Sequence, residues 1–200
     1  MSASAPGGGP GIQDDPVVLG ANLRLGARVF ASAVVFVFGS FLFAFFYLRA
    51  INSNNLFHPA GVNPPAGFGI AILLGVLATT AAFDLARRRR GRDESAWRSG
   101  SAVALVLALA VVGLQVIEYF ALSFKTASGG YASVFWGWTL LYLLFWLGAV
   151  YWSETLVAQT RRGGAEGAEL LGPSADGCTI YLYTLAAIQV VTYILLYLVK

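Results

Sequence analysis

Residues 101–124 read SAVALVLALAVVGLQVIEYFALSF, and this stretch decides how the rest of the chain is read. It exceeds the ~20 apolar residues that a helix needs to cross the hydrocarbon core of a bilayer. Up to Gly113 it is apolar on all sides, without the polar face that a helix on a soluble protein shows. Lipid offers no partner to backbone polar groups, so a spanning segment must satisfy them internally, and a helix does. Four further stretches of the same kind flank it, at residues 25–48, 66–86, 131–157 and 178–199. The expected fold is an all-α integral membrane protein, a bundle of five transmembrane helices over residues 24–200. Residues 1–23, rich in Gly, Pro, Ser and Asp, read as a disordered tail. They lack the positive region and apolar run of a secretory signal peptide.

Composition supports this reading. The 200 residues are 58% hydrophobic and 12% charged, against about 45–50% and about 25% in a soluble domain. Mean hydropathy is +0.70. A disordered chain is excluded by the apolar content. A disulfide scaffold is excluded because Cys178 is the single cysteine. A net charge of +3 without a basic stripe argues against nucleic-acid binding.

The cations set an expected orientation. Arg24, Arg28, Arg87, Arg88, Arg89, Arg90, Arg92, Arg98, Arg161 and Arg162 fall on one side of the five spans, leaving Arg49, Lys125 and Lys200 on the other. By the positive-inside rule the N-terminus is cytoplasmic and the C-terminus outside. Residues 52–65 and 126–130 are then outer loops, and 87–99 and 161–176 inner ones. The short 126–130 loop makes spans three and four antiparallel neighbours.

Ionisable groups within spans are costly and therefore informative. Asp84 precedes Arg87 and Arg88 by three and four residues, within reach on one helix face. It reads as a helix-end ion pair, and Glu154 as a similar helix-end charge. Glu118 lies deeper and shares a face with Gln115. That face must meet protein or trapped water. Its bland reading is an interhelix hydrogen-bond clamp, contributing about 1 kcal/mol. Its sharper reading is a proton-exchanging group.

Cofactor chemistry finds few ligands. His58 is the one histidine, too few for a histidine metal cluster or a bis-histidine haem. No GxGxxG fingerprint, phosphate-binding loop or GxSxG elbow occurs. Trp136, Trp138, Tyr142, Trp146, Tyr151 and Trp152 read as packing groups and interface belts. Arg49 and the run Arg87, Arg88, Arg89 and Arg90 are candidates for phospholipid head groups.

Three segments carry a resemblance. Leu114-Gln115-Val116-Ile117-Glu118-Tyr119 resembles the LQ-x-x-EY motif of haem-copper cytochrome c oxidase subunit III. Tyr131-Ala132-Ser133-Val134-Phe135 resembles the YGS-x-FF start of that family's next helix. Ser32 to Phe41 resembles its aromatic SE-x-x-FF-x-G-x-F helix. Five spans correspond to the five-helix bacterial form. Three departures stand out. The family's Glu in the SE helix corresponds to Ala33. Its paired histidines correspond to Tyr142 and Phe145, and the usual Trp-rich start of the last helix is missing.

The resemblance implies a non-catalytic subunit of a terminal respiratory oxidase in a bacterial inner membrane. Such a subunit holds no haem or copper, which belong to partner subunits. It packs on subunit I, and through it subunit II, as a hetero-oligomer. It also binds phospholipids and helps maintain proton uptake. An accessory subunit of a nitric-oxide-reducing relative is the alternative within the superfamily. A small proton-coupled carrier using Glu118 is the alternative outside it.

Overall fold

The computed structural model describes residues 16–52, 56–162 and 165–199. Five long helices account for most of them: α1 (Pro16–Ala50), α2 (Ala66–Arg89), α3 (Glu94–Ala121), α4 (Gly130–Arg162) and α5 (Ala165–Tyr193). A π-helical turn, Ile194–Val199, extends α5. All five are long and apolar enough to cross a membrane. The expected all-α five-helix architecture is therefore present.

Local chemistry explains the helix ends. Asp93 caps α3, its Oδ1 accepting from the backbone N–H of Ser95 at 2.9 Å and of Ala96 at 3.1 Å. That satisfies two donors that the first helical turn leaves open. Pro64 and Pro65 precede α2 and pre-set extended backbone before it. Between α3 and α4 a single 3-10 turn, Thr126–Ser128, leads to Gly129 at φ +139°. A Cβ there would also lie 2.7 Å from Pro59, so both backbone and space require glycine.

Two boundaries differ most from the sequence expectation, and α3 also starts early, at Glu94 within the expected 87–99 loop. First, α1 begins at Pro16, so residues 16–23 are helical where a disordered tail was expected. Residues 1–15 lie outside the described residues. At 1.5 Å per residue α1 is about 52 Å long, well beyond the ~30 Å hydrocarbon core. Second, most of the expected loop at 161–176 is helix, because α4 runs to Arg162 and α5 starts at Ala165. Ala, Glu and Leu in this stretch favour helix. Asp176 is also held in place by Arg87 and Arg24. Pro173 sits inside α5 without ending it.

α5 is the central element, packed on α1, α2 and α4. α2 and α3 form a closely packed pair, and α4 also meets α3 and α1. Trp97, Trp138, Trp146, Tyr131 and Tyr181 are among the largest fully buried side chains. The indole N–H of each of the three fully buried tryptophans finds an acceptor on a neighbouring helix. Trp97 donates to Thr160 at 2.9 Å, Trp146 to the Ala108 carbonyl at 3.0 Å, and Trp138 to Thr192 at 2.7 Å. These rings therefore tie α3 to α4 and α4 to α5, as packing groups with a polar handle. Tyr151, by contrast, is 69% exposed.

Candidate functional site

Two buried carboxylates organise the polar interior, one toward each end of the bundle. Glu118, on α3, is fully buried. Gln115 Nε2 donates to its Oε2 at 2.7 Å, from the helix face that the two residues share. Tyr197 Oη donates to its Oε1 at 2.6 Å from the π-helical turn after α5. The carboxyl group thus joins α3 to the end of α5. Both donors are neutral, and no cation pairs with Glu118 among the described residues.

The π-helical turn is held from every side. Tyr131, on α4, donates its hydroxyl to the Leu196 carbonyl. Arg49, at the end of α1, donates to the Val199 carbonyl at 3.1 Å. The Tyr197 ring lies against α2 at Gly69, where a Cβ would fall 2.6 Å from a ring carbon. Glycine there creates the slot that lets the phenol reach Glu118. Helix-terminal carbonyls lack intrahelical partners, and Tyr131 and Arg49 supply two. The loop before α2 closes the same end. Phe57 is buried against Phe45 and Tyr131, and its carbonyl accepts from Tyr131 N at 2.7 Å.

At the opposite end Asp84 is buried on α2. Arg87 Nη2 reaches its Oδ1 at 2.9 Å, and Arg88 Nη2 reaches its Oδ2 at 2.7 Å. The expected i+3 and i+4 ion pairs are both formed. The network extends further than the sequence showed. Tyr183 Oη donates to Asp84 Oδ2 at 3.0 Å. Arg87 also pairs with Asp176 at 2.8 Å, and Arg24 approaches Asp176 at 3.5 Å. Helices α1, α2 and α5 are thereby joined at the arginine-rich end.

The remaining sequence candidates lie apart. Arg89 is exposed, and the Arg90 guanidinium lies against Gly172 on α5. Glu154 is exposed on α4 and has no ionic partner among the described residues. Where the resembling family carries paired histidines, Tyr142 donates to the Leu185 carbonyl at 3.1 Å and Phe145 packs on Phe38 at 5.9 Å. Ala33 faces outward. Sequence reasoning missed Tyr197, Tyr183 and Asp176. All three act across helices, and no local spacing announces such a partner.

A family model described as cytochrome c oxidase subunit III matches residues 11–163. That is most of the chain, and it contains Gln115, Glu118 and the Tyr131 segment. The chain belongs to the cytochrome c oxidase subunit III family. It is a multi-pass membrane protein, and membership implies association with other oxidase subunits. A comparison with curated proteins found no match. Within this subunit III chain the match stops before α5, so Tyr197 and Tyr183 lie beyond it. The matched part supplies Glu118 and Asp84, and the unmatched helix supplies a phenol to each.

Proposed function

We propose that this chain is a non-catalytic subunit of a terminal haem-copper oxidase, embedded in a bacterial inner membrane with its N-terminus in the cytoplasm. It supports the catalytic subunit I by packing, by holding phospholipid and by maintaining proton uptake. Haem and copper belong to the partner subunits. The family match over residues 11–163 carries the reading. The positive-inside rule supports the orientation, since Arg24, Arg87 and Arg88 gather at one end of the bundle.

Glu118 acts as an interhelix clamp. Both of its oxygens are occupied, one by Gln115 and one by Tyr197. In this reading Arg89 and Arg90, at the edge of the arginine-rich end, together with Arg49 at the other, meet phospholipid head groups. Arg87 and Arg88 contribute there with the donors that Asp84 and Asp176 leave free.

Purification of the native complex through a tag on this chain tests the proposal. The account predicts haem and copper absorbance in the eluate together with oxygen consumption. A tagged chain that comes away without haem-containing partners contradicts it. An eluate that reduces nitric oxide in place of oxygen moves the chain to the nitric-oxide-reducing relative.

A further inference from the structure

We infer that the exposed face of α4 is the surface on which a transmembrane helix of a neighbouring oxidase subunit docks, and that this helix brings a basic side chain to Glu154. The inference rests on the reading above that the chain is an oxidase subunit. It adds the face and the chemistry of the partner.

Four observations carry it. Leu140, Leu144, Leu147, Tyr151 and Glu154 are all exposed, at spacings of four, three, four and three residues. A repeat averaging 3.5 residues is the seam along which one helix packs lengthwise on another. The seam continues to Ala158, whose small side chain permits close approach of a second backbone. A shallow hollow of about 290 Å³ lies on it, lined by Tyr151, Glu154, Thr155, Ala158 and Gln159.

The face also differs in chemistry from the other exposed faces. α1 presents Val29, Phe36 and Phe43, and α3 presents Val103, Val106 and Phe120. Acyl chains cover such surfaces without penalty. They offer no hydrogen-bond partner to the Tyr151 phenol, which lies deeper on α4 than Glu154.

The charge names the partner. Asp84 and Asp176 pair with arginines, Glu94 pairs with Arg98 at 2.7 Å, and Glu118 holds two hydrogen bonds. Glu154 has no such partner among the described residues. Its neighbour Ser153 lies 3.7 Å from Cys178 Sγ, so Glu154 stands about level with Asp176. Tyr151 lies about one turn deeper. A basic residue on a docked helix would complete at Glu154 what Arg87 does for Asp84, and would fix the register of the seam.

The test uses the assembled complex. A photoreactive phenylalanine analogue replaces Leu144 or Tyr151 in one set of variants, and Phe36 or Val106 in another. The expected result is adducts to a second oxidase subunit from Leu144 and Tyr151, several-fold above those from Phe36 and Val106. Adducts mainly from Phe36 or Val106, or adducts to lipid alone from Leu144 and Tyr151, overturn the inference. With chain abundance in the membrane matched, Glu154→Lys is expected to recover about tenfold less partner haem, and Glu154→Gln to recover more than Glu154→Lys. Equal recovery by Glu154→Lys and the unaltered chain overturns the basic contact. If the unaltered chain recovers no haem protein, the parent reading fails and this inference with it. That outcome is distinct from one in which haem is recovered and the adducts map elsewhere.

Discussion

At one end of the bundle Glu118 is buried and is met by an amide and a phenol. At the other end Asp84 is buried and is met by two guanidinium groups and a phenol. Both carboxylates tie α5 to the α2–α3 pair, yet the physical solutions differ. Asp84 lies where long cationic side chains can satisfy it while reaching toward water, and the Arg88 side chain is 66% exposed. Glu118 has no such cation among the described residues. Arg49, at the same end, donates to the Val199 carbonyl. Neutral donors fixed by packing do at that end what charge does at the other. A site held by neutral donors depends on shape, and a site held by ion pairs depends on charge.

The largest expected effect comes from emptying the shape-dependent site. Glu118→Ala leaves the Gln115 amide and the Tyr197 hydroxyl buried without acceptors, at a cost of about 2–4 kcal/mol. Chemical unfolding in detergent would measure it. Glu118→Gln keeps an acceptor and should lose far less. Turnover of the assembled complex against pH should also be nearly unchanged in Glu118→Gln. An altered pH profile with normal assembly would make Glu118 a proton-exchanging group instead of a clamp.

At the charged end, Asp84→Asn should cost about 1–2 kcal/mol. The cost is moderated because Arg88 is largely solvated and Arg87 keeps Asp176. Raising the ionic strength should shrink the Asp84→Asn effect and leave the Glu118→Ala effect unchanged. A salt-independent Asp84→Asn effect would erase the distinction between the two ends. Tyr197→Phe, which removes one neutral donor and keeps the ring, should cost about 1 kcal/mol, measured in the same unfolding assay.

The smallest effect belongs to the α3 cap at the arginine-rich end. The Ser95 hydroxyl and the backbone N–H groups of Ser95 and Ala96 hold the Asp93 carboxyl below its ordinary value of 3.8. A carboxyl lowered in the folded state stabilises fully above its ordinary value. That contribution is lost as pH falls through the lowered one. Hydrogen exchange at the Ser95 and Ala96 amides should therefore quicken in acid below that range, while amides around Gln115 stay protected.

Much of this was legible in the sequence. Apolar length alone gave five helices, because lipid leaves few alternatives. The spacing of Gln115 and Glu118 gave their shared face, and the spacing of Asp84, Arg87 and Arg88 gave two ion pairs. Contacts within a helix follow from its period. Tyr197 and Tyr183 were not legible, since each meets its carboxylate across a helix interface whose register the sequence does not state. The slot at Gly69 was hidden for the same reason. The helical course of residues 165–176 was obscured by its glycines and Pro173. Its last residue, Asp176, is held by ion pairs with residues far away in the chain.

The central claim is that this chain supports chemistry performed by a partner. The most direct measurement is turnover of the oxidase complex isolated from cells with and without this chain. The account predicts an unchanged haem-copper spectrum and unchanged initial oxygen consumption without the chain, followed by early loss of activity during sustained turnover. A haem-copper spectrum that disappears with the chain, or turnover that is sustained equally well without it, would contradict the account.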